Sequence, residues 1–168
     1  FPGRGIAEWA LLLPLAMPAY VLAYTYTDFL QFAGPLQSAL RETFGWRKGD
    51  YWFPEVRSIS GAIVLFSCVL YPYVYMLARA AFLERAGSMT DAARALGLSP
   101  WQTFRQVTMP LARPAIAAGI ALALMETLAD FGVSSYFGIQ TFTAGIYKSW
   151  LVLDNRIAAA QLASLLLL

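Results

Sequence analysis

The sequence predicts an all-α integral membrane protein, a polytopic helix bundle. Of its 168 residues, 59% are hydrophobic and only 13% charged, against about 45–50% and about 25% in soluble domains. Mean hydropathy is +0.56, and the apolar residues gather in runs that suit a bilayer core, which needs about 20 residues at about 1.5 Å each. Pro14 and Pro18 interrupt the first run; a membrane tolerates the freed carbonyls only where neighbouring helices cover them, which argues for a bundle rather than a lone anchor. The net charge of +2, without a Lys/Arg run, excludes a nucleic-acid footprint. The absence of His removes His-based catalysis and His-ligated metals. Cys68 is a single cysteine, read as a small buried hydrophobe. The chain opens on Phe1 and stops inside an apolar run, so it is expected to be a fragment of a longer protein; no cleavage pattern follows the first run.

Four runs are predicted to span. The first covers residues 6–26, kinked at Pro14 and Pro18. Residues 27–60 form a long connection in which 38–44 suit a short amphipathic helix and Tyr51-Trp52-Phe53 an interfacial aromatic anchor. The second span covers residues 59–82, interrupted late by Tyr71-Pro72-Tyr73 and closed by Arg79 and Glu84-Arg85. The third covers residues 114–136, where Ala115, Gly119 and Ala123 make a small-residue stripe suited to helix–helix contact. In the loop over 137–153, residues 142–150 suit an interfacial helix, and Asp154 or Asn155 is placed to cap the fourth span, residues 155–168. Lys and Arg divide equally between the two sides, so the positive-inside rule gives no orientation.

Residues 88–110, between the second and third spans, are the most specific segment. Ser88 with Asp91 reads as a capping box, with Asp91 where a helix dipole favours an anion. Ala92, Ala93, Ala95 and Leu96 are strong helix formers, and Gly97 is placed to end the helix in the left-handed region. Ser99 then caps a second helix with Pro100 in its first position; Pro110 ends it and Pro114 opens the next span. From these residues alone, a solvated linker hairpin and a protrusion that another protein's backbone approaches are equally good readings.

The spacing also carries a resemblance. Asp91-Ala92-Ala93, three residues, Gly97, nine residues, then Val107-x-Met109-Pro110 resembles the EAA motif, E-A-A-x3-G-x9-I-x-L-P, of ABC importer membrane permeases. Asp91 departs from the usual Glu by one methylene. The resemblance implies a two-helix coupling hairpin facing the cytoplasm, with Asp91, Ala92, Ala93, Gly97 and Pro110 at the groove of an ATP-binding cassette subunit. It places residues 27–60 and 137–153 outside. Leu11 to Tyr24, Tyr51 to Arg57, Leu70 to Tyr75 and Met125 to Gly132 are similar to ferric-iron (Fe3+) importer permeases, usually fused chains with two permease copies; this chain is placed in the first. The resemblance implies a periplasmic or lipid-anchored solute-binding protein, a second permease copy, membrane lipids, and a multi-pass location in the cytoplasmic (inner) membrane. ATP is expected on the partner subunit and no cofactor on this chain, which has no G-x-x-x-x-G-K-[ST] sequence.

Glu126 and Asp130 are four residues apart in the third span, on one helical face, at roughly 18 and 24 Å from Pro114 at about 1.5 Å per residue. A carboxylate there costs at least about 2.5 kcal/mol unless it faces a cavity or a partner. Two readings stand: a translocation path for a hard cation that prefers oxygen ligands, or internal hydrogen-bonding groups that lock helices together. Tyr20, Tyr24, Tyr71, Tyr73 and Tyr75 are further candidates for the path, with packing as the alternative. No residue is firmly assigned as a metal ligand. The reading is a transport subunit, not an enzyme, of an importer for ferric iron. The alternatives are import of polyamine, sulfate, molybdate or phosphonate, or a secondary transporter or channel using Glu126 and Asp130.

Overall fold

The computed structural model describes residues 3–47 and 49–167, except for the side chains of residues 85–88. Among the described residues every regular element is helical. They fall into two compact units, Phe1–Val69 with Thr127–Leu168, and Leu70–Glu126.

The first unit opens with α1 (Arg4–Ala10), a 3-10 turn (Leu13–Ala16) and α2 (Ala19–Leu30). The single kinked helix expected over 6–26 is therefore three pieces. Met17 is extended, at φ −121 and ψ 137, because the residue before a proline is pushed out of the helical region; α2 restarts directly after Pro18. The amphipathic helix expected from Ser38 begins earlier, as α3 (Pro35–Phe44), since Pro35 is pre-organised for a first helical position. Buried Gln37 ties it to α2, donating from Nε2 to the Leu30 carbonyl at 2.7 Å.

A long helix, α4 (Ile59–Ala95), then runs without a break. Pro72 is inside it, so the expected interruption at Tyr71-Pro72-Tyr73 does not occur, and Arg79 and Glu84-Arg85 do not close it. Nor does a new helix start at Ser88, whose side chain lies outside the described residues. Alanines, Leu77, Leu83 and Glu84 are good helix formers, and Gly87 alone costs about 1 kcal/mol, too little to end a helix.

After a turn, α5 (Pro100–Thr103), a π turn (Phe104–Thr108) and α6 (Met109–Ala129) join as one rod, Pro100–Ala129. Pro110 and Pro114 thus lie within a helix rather than marking an end and a start. The wide turn just before Pro110, closed by Met109 N–H on the Phe104 carbonyl, rearranges the ladder where proline has no donor. Two stretches, Ile59–Glu84 and Pro100–Ala129, are long and apolar enough to cross a membrane, with mean hydropathies of 1.8 and 1.6. Their apolar windows are only 22% and 11% buried, unlike core helices of a soluble protein.

Within the second unit, α6 crosses α4 backbone to backbone at Gly119. A Cβ there would lie 2.7 Å from Val74 Cα and 3.1 Å from the Tyr73 carbonyl oxygen. The expected small-residue contact is present at its central member.

The third predicted span ends early. Asp130 and Phe131 leave the helix, and α7 (Gly132–Phe137) follows. It packs on α2 in the first unit: Gly132 lies against Tyr20, and Tyr24 meets Tyr136 with ring centroids 3.9 Å apart. The expected interfacial helix is α8 (Phe142–Tyr147), continued by a π turn (Lys148–Val152). It packs on α9 (Arg156–Leu166). Asn155 makes the expected cap, accepting from Ala158 N–H at 3.0 Å, while Asp154 takes a left-handed φ of 47 to turn the chain.

Gly119→Leu is expected to destabilise the intact protein by about 1–3 kcal/mol through overpacking, with Ala121→Leu, at an exposed position of the same helix, close to neutral. Thermal unfolding in detergent measures both.

Candidate functional site

The elbow between α4 and α5 is built from local rules. Gly97, at φ +84, is the left-handed residue past the end of α4. Its N–H bonds the Arg94 carbonyl at 2.9 Å and the Leu98 N–H bonds the Ala93 carbonyl at 3.1 Å. This double closure satisfies carbonyls the helix end would leave open. Ser99 then caps α5 reciprocally: its Oγ accepts from Gln102 N–H at 3.3 Å, and Gln102 Oε1 accepts from Ser99 N–H at 2.9 Å. Sequence reasoning found Ser99 and Pro100 but missed Gln102, although Ser-x-x-Gln is the legible form of that box.

Asp91, Ala92 and Gly97 are exposed, whereas Ala93 is buried. The tip carries large apolar side chains in the open: Leu96 is 84% and Trp101 68% exposed. Trp101 stacks on Phe104, whose ring also approaches Phe82 at 6.5 Å. Of the five motif residues, Asp91, Ala92, Ala93 and Gly97 are gathered at this elbow. Pro110 is not; ten residues past Pro100, it stands about 15 Å along the second helix by helical rise. Asp91 also does not open a helix as expected. It stands one turn before the C-terminus of α4, where the dipole opposes an anion by a few tenths of a kcal/mol. Local stability therefore gives no reason for its charge.

The acidic pair separates in role. Glu126 is an exposed residue of α6. Asp130 lies past the end of α6, so the two do not share a helical face. Its Oδ2 accepts from Val133 N–H and Ser134 N–H, both at 3.0 Å, and lies 3.3 Å from the buried Ser134 hydroxyl. Asp130 thus starts α7 as a capping group. Of the tyrosines, Tyr20 and Tyr24 pack against α7, and Tyr136, which sequence reasoning passed over, accepts from Arg57 at 2.8 Å. Among the described residues no group of three or more Cys, Asp or Glu is placed to hold a metal ion.

Long, outward-facing apolar helices joined by a capped polar elbow define an all-helical integral membrane protein. The chain belongs to the family of binding-protein-dependent transport system inner membrane components, the ABC importer permeases, whose model matches residues 2–168. It is similar to the Fe(3+)-transport system permease protein FbpB 2 of Haemophilus influenzae, 28% identical over 167 residues, 99% of this chain and 28% of that protein. It is similar to the molybdenum transport system permease protein ModB of the same organism, 28% identical over 137 residues, 82% of this chain and 57% of that one. A probable sulfate transport system permease protein, cysT of Chlorokybus atmophyticus, is 31% identical over 150 residues, 87% of this chain and 50% of that one. The chain thus spans between about a quarter and a little over half of these relatives' lengths.

Asp130→Asn, which keeps an oxygen acceptor for the α7 amides, is expected to preserve stability and uptake. Asp130→Ala is expected to cost about 1 kcal/mol, the usual size of a lost N-cap. Thermal unfolding and uptake assays on the intact permease distinguish this capping role from a charge relay, which Asn would disable.

Proposed function

We propose that this chain supplies membrane-spanning helices of an ATP-driven importer, and that the elbow at Asp91–Leu98 is where a partner ATP-binding subunit pushes. The observation that carries this reading is the elbow's surface. It exposes a carboxylate that its own helix does not favour, small residues that admit a partner's backbone, and the apolar pair Leu96 and Trp101. Two tight caps hold that surface in one shape, so a displacement is transmitted rather than absorbed. The rod Pro100–Ala129 carries it to the crossing at Gly119 and Val74, where two backbones in contact move together. The chain has no P-loop sequence, so ATP is bound and hydrolysed on the partner. This chain makes and breaks no bond in the cargo.

The cargo we infer is ferric iron, delivered on the outer side of the cytoplasmic membrane by a periplasmic or lipid-anchored binding protein, with a second permease copy completing the path. Support comes from a relative named for Fe(3+) that aligns over 99% of the chain, and from the oxygen-rich side chains Glu126, Tyr71, Tyr73 and Tyr75. A small oxyanion is the second reading, supported by relatives of similar identity named for molybdenum and sulfate. A secondary transporter relaying ions through Glu126 and Asp130 has less support, because the Asp130 carboxylate is committed to capping α7.

With Cys68→Ser as background, Ala92→Cys in the intact permease is expected to cross-link to the ATP-binding subunit in native membranes. Uptake of radioactive iron is expected to stop when that subunit's ATPase is inactivated. Cross-linking to no partner, with uptake that collapses with the proton gradient instead, overturns the coupling reading. Molybdate or sulfate uptake in place of iron overturns the cargo alone.

A further inference from the structure

Residues 53–56 in the first unit form a wall shared by two cavities. One, about 480 Å3, is of mixed character, with Gln31, Gln37, Tyr51, Glu55 and Arg57 in its lining beside apolar side chains. The other, about 400 Å3, is a nearly wholly apolar groove whose lining includes Tyr26, Leu30, Val64, Leu65, Cys68 and Phe137. Gln37 and Tyr51 are already bonded to each other at 2.7 Å. Among the described residues lining this cavity, the charged ones are Glu55 and Arg57, opposite in sign and two residues apart. Arg57 is held in place, with its Cζ 4.3 Å over the Tyr136 ring and one N–H on the Tyr136 hydroxyl, and a guanidinium has further donors to give.

The length of the groove suits an acyl chain. The groove follows one face of α4, through Ser60, Gly61, Val64, Leu65 and Cys68, from just inside its first residue. Eight residues of helix rise about 12 Å, close to one leaflet of a hydrocarbon core about 30 Å thick. Trp52, 85% exposed, adjoins the shared wall where an interfacial aromatic belongs. A transmembrane helix laid in the groove would carry apolar side chains onto Glu55, which lines both cavities, and desolvate its charge. An amphiphile meets both cavities without that cost.

We propose that the paired cavities bind one zwitterionic bilayer phospholipid of the phosphatidylethanolamine class, its phosphate against Arg57, its ammonium against Glu55, and an acyl chain along α4 down to Cys68. The test uses the intact permease in mild detergent, with phosphatidylethanolamine and phosphatidylglycerol as probes read by native mass spectrometry. Wild type is expected to retain one phosphatidylethanolamine in preference to phosphatidylglycerol. Val64→Trp, at a position 63% exposed into the groove, is expected to lose it, and Leu122→Trp on α6 to keep it. Glu55→Gln is expected to retain a lipid without headgroup preference. Should Val64→Trp fail to fold, alkylation of Cys68 in wild type reads the same site: reactive after delipidation, protected once phosphatidylethanolamine is restored. Retention unaffected by Val64→Trp, absence of any headgroup preference in wild type, or a Cys68 still shielded after delipidation because another helix covers the groove, each overturns the proposal.

Discussion

Hydrocarbon offers backbone amides and carbonyls no partner, so chain that crosses it must be helical, and the ends of such helices need partners of their own. Where helices end near the elbow and after α6, the chain closes them from within. Gly97 and the Leu98 amide return to the last carbonyls of α4, Ser99 and Gln102 cap α5 reciprocally, and Asp130 takes up the first amides of α7. Thr141 and Asn155 do the same for α8 and α9. Asp130, an acidic residue within the third apolar run, is a helix start, its carboxylate bonded to the first amides of α7.

The prolines obey the same constraint in two ways. Pro14 and Pro18 break the chain, with Met17 extended between two helical pieces. Pro72, Pro110 and Pro114 are carried inside long helices. Pro72 is fully buried, so its disturbed ladder faces protein rather than lipid, and Pro110 follows a π turn that reorganises the ladder beside it. Continuity through these positions gives the elbow two stiff arms.

At Gly119 the lack of a side chain lets α6 touch the backbone of α4. Contact between backbones leaves little room for one helix to slide without the other. The elbow's capped geometry and this crossing belong to the same unit.

Composition and run length by themselves determined that the chain is helical and membrane-bound, since burial in a bilayer is set by apolar content over about 20 residues. Sequence also determined the punctuation at Gly97, Ser99, Pro100 and Asn155, because a cap is settled by a backbone angle and a side chain within three residues of it. Motif spacing from Asp91 to Pro110 carried the family for the same local reason. Tertiary structure alone decided whether each proline broke or continued its helix, that Asp130 caps rather than shares a face with Glu126, that Arg57 meets Tyr136, and that residues as distant as Tyr26 and Phe137 line one groove. Those outcomes depend on which groups approach from far along the chain, and no periodicity in a single segment records its neighbours in space.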